Sequence, residues 1–257
     1  KAMGYYVYWD ILEATNYGIP QIRKRLFILA SKYKLLNPFP LPTHSTNPYS
    51  CLKKCPNLWE AISDLPQINA REGKEEMDYD IEPSSNYEKL LRKGSKKVYN
   101  HISMKHSKRT IERFSTMSWG QSVSDVPDHL KPYTRNNVGL ISNKVYDQNN
   151  RRMHPDRPCH TITASFYANF VHPYKHRNFT AREGARIQSF PDNYVFKGKP
   201  TVISKKLLQK EGRHEENHLC QYNQIGNAVP PLMAKAIAEN IISNERSNNE
   251  CLFTATI

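Results

Sequence analysis

Gln224-Ile-Gly-Asn-Ala-Val-Pro-Pro-Leu232 reads as a Gly-Asn turn running into a helix. Gly226 allows a positive φ, and Pro230 and Pro231 suit a helix's first turn, where a missing N–H costs nothing. Beyond them Leu232, Met233, Ala236, Ile237 and Ile241 fall on one helical stripe. A turn of this kind aims backbone N–H groups and an Asn amide at whatever lies before the helix, often a polar ligand. It is also the ordinary way to start a helix, so its meaning depends on the rest of the chain.

Working outward, 257 residues suffice for one large domain or two modest ones. Lys plus Arg number 37 against 24 acids, a net charge of +13 that favours a polyanionic partner. The excess is uneven. Lys89 to Arg113 holds nine bases and one acid, whereas Arg71 to Glu88 holds seven acids and two bases. That contrast predicts an exposed, mobile insertion with a basic end. Five cysteines, an odd number without paired spacing, argue for a reducing compartment. No apolar run approaches bilayer length and no secretory signal is visible, so the location expected is the cytoplasm, or the nucleus of a eukaryote.

Tyr5–Leu12 predicts a strand and Arg25–Ser31 a second, largely buried one, joined by a loop through Gly18 and Pro20. Pro38, Pro40, Pro42 and Pro48 mark a linker. Asn57 with Glu60, and Thr180 with Glu183, predict capping boxes that open helices through Leu65 and Phe190. Thr110–Met117 predicts another helix, and Lys197–Asn217 a polar insertion. Residues 120–175, dense in Asn, Tyr, Pro and His, suit an irregular surface of loops and short strands. The tail after Ser243 is too polar to pack.

In Gln21-Ile-Arg-Lys-Arg25 alternate residues share a strand face, placing an amide and two guanidiniums at the mouth of a sheet. Such a set suits phosphate oxygens or a carbonyl held flat, although paired surface arginines are commoner. Arg182, Glu183 and Arg186 predict turn-to-turn ion pairs on a scaffold helix. His214-Glu-Glu-Asn-His218 matches a zinc-peptidase pattern, but its neighbours are polar and no third ligand follows, so an exposed loop is the better reading. Cys159 has a histidine beside it in sequence, yet adjacent strand residues face opposite ways. It is read as inert, as are Cys51 and Cys55.

Three stretches form an ordered set. Tyr17-Gly-Ile-Pro-Gln-Ile-Arg-Lys-Arg-Leu-Phe-Ile28 resembles the eighth conserved motif of the DNA cytosine-5 methyltransferases, Arg182-Glu-Gly-Ala-Arg-Ile-Gln-Ser-Phe-Pro-Asp192 the ninth, and Gln224–Pro231 the tenth. Leu58–Pro66 and Arg157–Thr163, between the eighth and the ninth, also resemble recurring family text. The resemblance implies an α/β chain: the end of a Rossmann-like catalytic domain (last strand hairpin and C-terminal helix) plus a small, mostly β or irregular target recognition domain. The expected divisions are 1–36 for the strand pair, 37–56 linker, 57–220 recognition domain, 221–245 returning helix and 246–257 tail. The family's catalytic Pro-Cys-Gln, its Glu-Asn-Val and its Gly-rich cofactor loop are not in the chain, so the resemblance is to the C-terminal half, which needs a complementing N-terminal half.

By that resemblance the cofactor is S-adenosylmethionine, the partner is double-stranded DNA and the setting is restriction-modification. Arg23 and Arg25 would hold the cytosine O2 and a nearby phosphate, with Gln21 ordering the loop. Gly226, Asn227, Ala228 and Val229 would line the cofactor pocket. Arg182, Glu183, Arg186 and Gln188 would brace the recognition domain. Arg135, Asn136, Asn137, Arg151, Arg152, Thr161, Thr163 and Asn169 are the candidate DNA readers, chosen by residue type and location. The chief alternative is a non-catalytic DNA-binding module of the same descent.

Overall fold

A computed structural model describes residues 4–134, 137–142, 149–201, 205–213 and 220–254. β1 (Tyr6–Glu13) and β2 (Lys24–Ser31) form an antiparallel hairpin in the register Trp9–Ile28 and Ile11–Leu26. The linker contributes β3 (His44–Ser45) parallel to β4 (Lys53–Lys54). Then come α1 (Trp59–Ile62), β5 (Gly73–Met77), α2 (Asn86–Arg92), β6 (Val98–Ile102) antiparallel to β5, and α3 (Lys108–Ser115). β7 (Tyr133–Thr134) pairs with β8 (Asn137–Ile141), and β9 (Arg151–Arg152) runs parallel to β10 (Phe170–Val171). α4 (Ala181–Ile187), α5 (Lys205–Lys210), α6 (Gln221–Asn227) and α7 (Pro231–Thr254) complete the chain.

β2 is not buried as expected. Opposed residues share a face, and the pairs Trp9–Ile28 and Ile11–Leu26 are 57–71% exposed. The other face is covered: Leu12 and Phe27 pack with Tyr17, Ile19, Phe39, Met233 and Ala236, so α7's apolar stripe lies on the hairpin's base. Strands apolar on both faces suit a sheet with layers on both sides, and the described residues cover only one of them. Helix α7 also runs past Ser243, where packing was expected to stop, and Asn240 and Asn244 both donate to Asn37 O at 2.9 Å.

The main core gathers α1, α2, β6, the 153–170 stretch, α4 and α6, with Leu58, Ile62, Val98, Ile162, Phe166, Phe179, Ile187 and Ile225 all at 0–1% exposure. The basic Lys89–Arg113 segment is therefore no mobile insertion. It contains β6, with Val98, Asn100 and His101 buried. Asn100 adopts φ 60° and spends its amide on Glu75, on both backbone groups of Phe196 and on Arg182, which explains a polar residue at the centre. Both predicted capping boxes form their reciprocal bonds, Asn57 with Glu60 and Thr180 with Glu183.

Every residue of α4 is buried, charges included. The expected pairing of Glu183 with Arg186 along the helix does not form. Glu183 instead takes a bidentate grip from Arg177 (2.7 and 2.8 Å), and Arg186 lies between Asp64 and Asp192. Arg182 donates to the carbonyls of Tyr99 and Tyr194. Gly184 sits where any Cβ would strike the Phe166 ring.

Two buried histidines adjoin this network. His101 bridges Thr180 Oγ1 and Pro66 O, both at 2.9 Å, and His172 Nδ1 accepts from the backbone N–H groups of Tyr174 and Lys175. Although His172 Nε2 lies 3.7 Å from Glu183, burial outweighs that carboxylate. It pushes His101 down to about 4 and His172 to about 3, so both rings are neutral. Below the ordinary histidine value of about 6.5 the unfolded chain takes up protons that the folded chain refuses. Stability should therefore fall as pH drops through 6.5, by about 2 kcal/mol between pH 8 and pH 6 for the two rings together. Chemical denaturation at those two pH values measures it, and a protein more stable at pH 6 would contradict neutral buried rings.

Candidate nucleic-acid and cofactor site

After β1 the chain makes a 3₁₀ turn, Ala14–Tyr17, and reverses at Gly18 (φ 73°), where a Cβ would meet the His44 ring. It then runs extended beside the 157–163 stretch. Cys159 N donates to Pro20 O and Ile22 N to Cys159 O, both at 2.8 Å. This pairing turns Gln21 and Arg23 into the core and leaves Arg25 exposed at the start of β2. The three side chains expected to stand together thus divide, two inside and one at the mouth.

Arg23 is 4% exposed and is occupied by the protein's own backbone. Its Nη1 donates to Ile162 O (2.7 Å), and its Nη2 to Ala228 O (3.2 Å) and Gly226 O (3.3 Å). Its Nε is buried and has no hydrogen-bond partner among the described residues. Burial, with the nearby Arg25 charge, pushes its pKa down to about 10, which leaves it protonated at neutral pH. In this structure Arg23 is a clamp, and the open guanidinium is that of Arg25, which donates to Lys24 O at 2.6 Å.

The clamp closes on the stretch that opened the sequence reading. Gly226 lies inside α6 and not at a positive-φ turn. A glycine is needed for a different reason: a Cβ there would lie 2.3 Å from the Thr163 carbonyl carbon and oxygen. α6 therefore seats directly on the 157–164 stretch, and Asn223 Nδ2 donates to Ala164 O (2.9 Å). Sequence reading did not single out Asn223, since nothing local marks an amide whose partner lies 59 residues away. Asn227 and Val229 are exposed beside this contact, Ala228 is half-buried, and α7 begins at Pro231 as expected. The exposed Asn227 amide and Val229 side chain could line one side of an adenosyl group.

The candidate DNA readers scatter. Arg135 and Asn136 lie outside the described residues. Asn137 opens β8 opposite Thr134. Arg151 Nη1 donates to Gly120 O (2.7 Å). Arg152 is 3% exposed, and its guanidinium donates to the carbonyls of Phe114, His172, Pro173 and Lys175 and to His176 Nδ1, so it cannot read a base. Thr161 spends its hydroxyl on Ile22 O (2.7 Å). Thr163 remains exposed, with Ser165 and Asn169 within 3.5 Å of its hydroxyl.

The Cys159 thiol is wholly buried and pushed above its ordinary value by that burial, with the exposed His160 facing away. The His214–His218 pattern lies outside the described residues, and among the described residues no three His, Cys, Asp or Glu side chains could hold a metal. Nor is any described helix long and apolar enough to cross a membrane.

Comparison with known proteins places these features. The family profile described as C-5 cytosine-specific DNA methylase matches residues 1–243. The type II methyltransferase M.DdeI of Desulfomicrobium norvegicum is 47% identical over 241 residues, which cover 93% of this chain and 55% of that protein. M1.HphI of Haemophilus parahaemolyticus is 30% identical over 94% of this chain and 49% of its own length. The chain thus spans about half the length of these relatives. M.AquIB of Picosynechococcus differs: 144 aligned residues, 29% identical, cover 87% of it. A crystal structure of a DNA modification methyltransferase encoded within an E. coli prophage shares the α/β fold, with a TM-score of 0.64 at 19% identity over 95% of this chain and 62% of that one.

Proposed function

The chain belongs to the C-5 cytosine-specific DNA methylase family, and on that premise we propose that it is the DNA-recognising, active-site-completing part of an S-adenosylmethionine-dependent DNA cytosine-5 methyltransferase. The observation that carries this is the convergence at Arg23. One buried guanidinium joins the strand leading to Arg25, the stretch leading to Thr163, and the α6–α7 junction carrying Asn227 and Val229. In this reading they serve as the base-holding group, the DNA-facing hydroxyl and the cofactor wall.

In this reading the target cytosine is flipped out of the duplex. When bound, S-adenosylmethionine supplies the methyl group. Arg25 donates hydrogen bonds to the cytosine O2, where negative charge grows as a thiolate adds at C6. Asn227 and Val229 orient the cofactor from one side, and the Thr163–Asn169 rim faces the DNA. The nucleophile and the opposite cofactor wall come from a complementing half, which docks on the bare Trp9–Ile28 face of the hairpin. That face is apolar, continuous across both strands and larger than isolated surface residues require.

The test is methyl transfer from radiolabelled S-adenosylmethionine to duplex DNA. This chain alone should transfer none, and activity should appear on mixing with the part of M.DdeI outside the matched region. Transfer by the purified chain alone would overturn the division of labour, and DNA binding without transfer in the mixture would favour a non-catalytic binding module.

A further inference from the structure

Both backbone polar groups of Ile162 are held from one edge. Its N–H donates to Gln21 Oε1 (2.7 Å), and its carbonyl accepts from Arg23 Nη1 (2.7 Å). Gln21 Nε2 donates onward to Gln188 Oε1 (2.8 Å), and Gln188 Nε2 to Ile225 O (2.9 Å). A directional chain of amides therefore joins the strand entry, the end of α4, α6 and the recognition stretch. Gln21, Gln188, Ile162 and Ile225 are all fully buried.

An apolar pair of similar volume would fill the space between the two amides but leave the Ile162 N–H and the Ile225 carbonyl without partners. Beyond those two bonds, the amides add register. Their donors and acceptors match in only one alignment of 159–163 against 21–25, and a slip of one residue would turn every side chain to the other face. Within that alignment the exposed Thr163 follows Ile162 directly, and Arg25 lies at the exposed end of the segment that carries Gln21 and Arg23.

We infer that Gln21 and Gln188 are positioning residues that fix the offset between the Thr163 recognition rim and the base-holding Arg25. DNA-sequence discrimination thus depends on two buried amides that touch neither DNA nor cofactor. The inference rests on the function proposed above.

The experiment uses the complemented enzyme on a duplex library with about ten randomised base pairs, a span like that of one helical turn, with methylated cytosines mapped by bisulfite sequencing. In Gln188→Met, Gln21→Met and the double variant, turnover at saturating DNA should fall at least about thirtyfold. The preference for the best sequence over the second should shrink about tenfold, and the double variant should lose little more than either single one, as members of one network do. Gln188→Asn, which keeps the amide but is too short to reach both partners, should behave alike and guards against variants that fail to fold. Preferences within twofold of wild type in Gln188→Asn and in every folded variant, with only the melting temperature lowered, would overturn the inference. A wild-type mixture that methylates nothing would instead overturn the proposed function, and this inference with it.

Discussion

Replacing Arg186 with alanine should lower the melting temperature by about 10–15 °C at pH 7.5, the equivalent of about 3–5 kcal/mol. Arg186 is 0% exposed and all five of its N–H groups are used. Nε and Nη2 grip Asp192 at 2.6 and 2.5 Å, Nη1 and Nη2 grip Asp64 at 2.9 and 3.2 Å, and Nη1 also reaches Ala61 O. Both carboxylates are buried too. Burial holds the Asp64 carboxyl above its ordinary value even with Arg186 pulling it down. Without the guanidinium, two carboxylates would face each other in the core, and the nearest remaining cations, Arg92 and Arg182, stand 3.7–3.8 Å away. The pH signature separates this from simple loss of packing. A carboxyl whose folded pKa is raised gains stability as pH falls toward its unfolded value, so the variant should recover stability, relative to wild type, between pH 7.5 and pH 6. A deficit below about 1 kcal/mol, or one that does not narrow on acidification, would show that the triad is not what holds α1, α4 and the 190s together.

That triad also marks the limit of what sequence can show. Capping boxes, strand ends and the Pro231 helix start depend on neighbours within four residues, and each is where local chemistry puts it. The partners of Arg186 and Arg152 lie up to 125 residues away, so the first reads as a turn-to-turn ion pair within its own helix and the second as a DNA contact. Gly226 misleads in another way: a glycine beside an asparagine suggests a turn, whereas its missing Cβ makes room for Thr163 from a distant segment. β2 reads as buried because its residues suit burial, but the layer that would cover Ile28 is not among the residues described. The family text marks stretches that meet at Arg23. What it could not divide was Arg23 from Arg25, because two arginines on one strand face look equivalent until one of them is seen gripping three carbonyls.

That division gives the second large effect. Arg25→Ala in the complemented enzyme should lower turnover about 10²–10³-fold, as expected for losing one donor to a charge that develops in the transition state. Duplex affinity should change by less than about threefold, because duplex binding rests mainly on phosphate contacts made elsewhere, whereas Arg25 meets the flipped base. The melting temperature should not move, since Arg25 is exposed and its hydrogen bond is to the neighbouring Lys24 carbonyl. Arg23 is the internal contrast. Its removal orphans the carbonyls of Ile162, Gly226 and Ala228, so its effect should appear first as lost stability. Single-turnover methyl transfer, fluorescence anisotropy with a labelled duplex and thermal melts on the same preparations keep these readouts apart. If Arg25→Ala weakened duplex binding as much as it slowed transfer, Arg25 would be a phosphate contact, and the guanidinium that holds the flipped base would have to be sought in the complementing half.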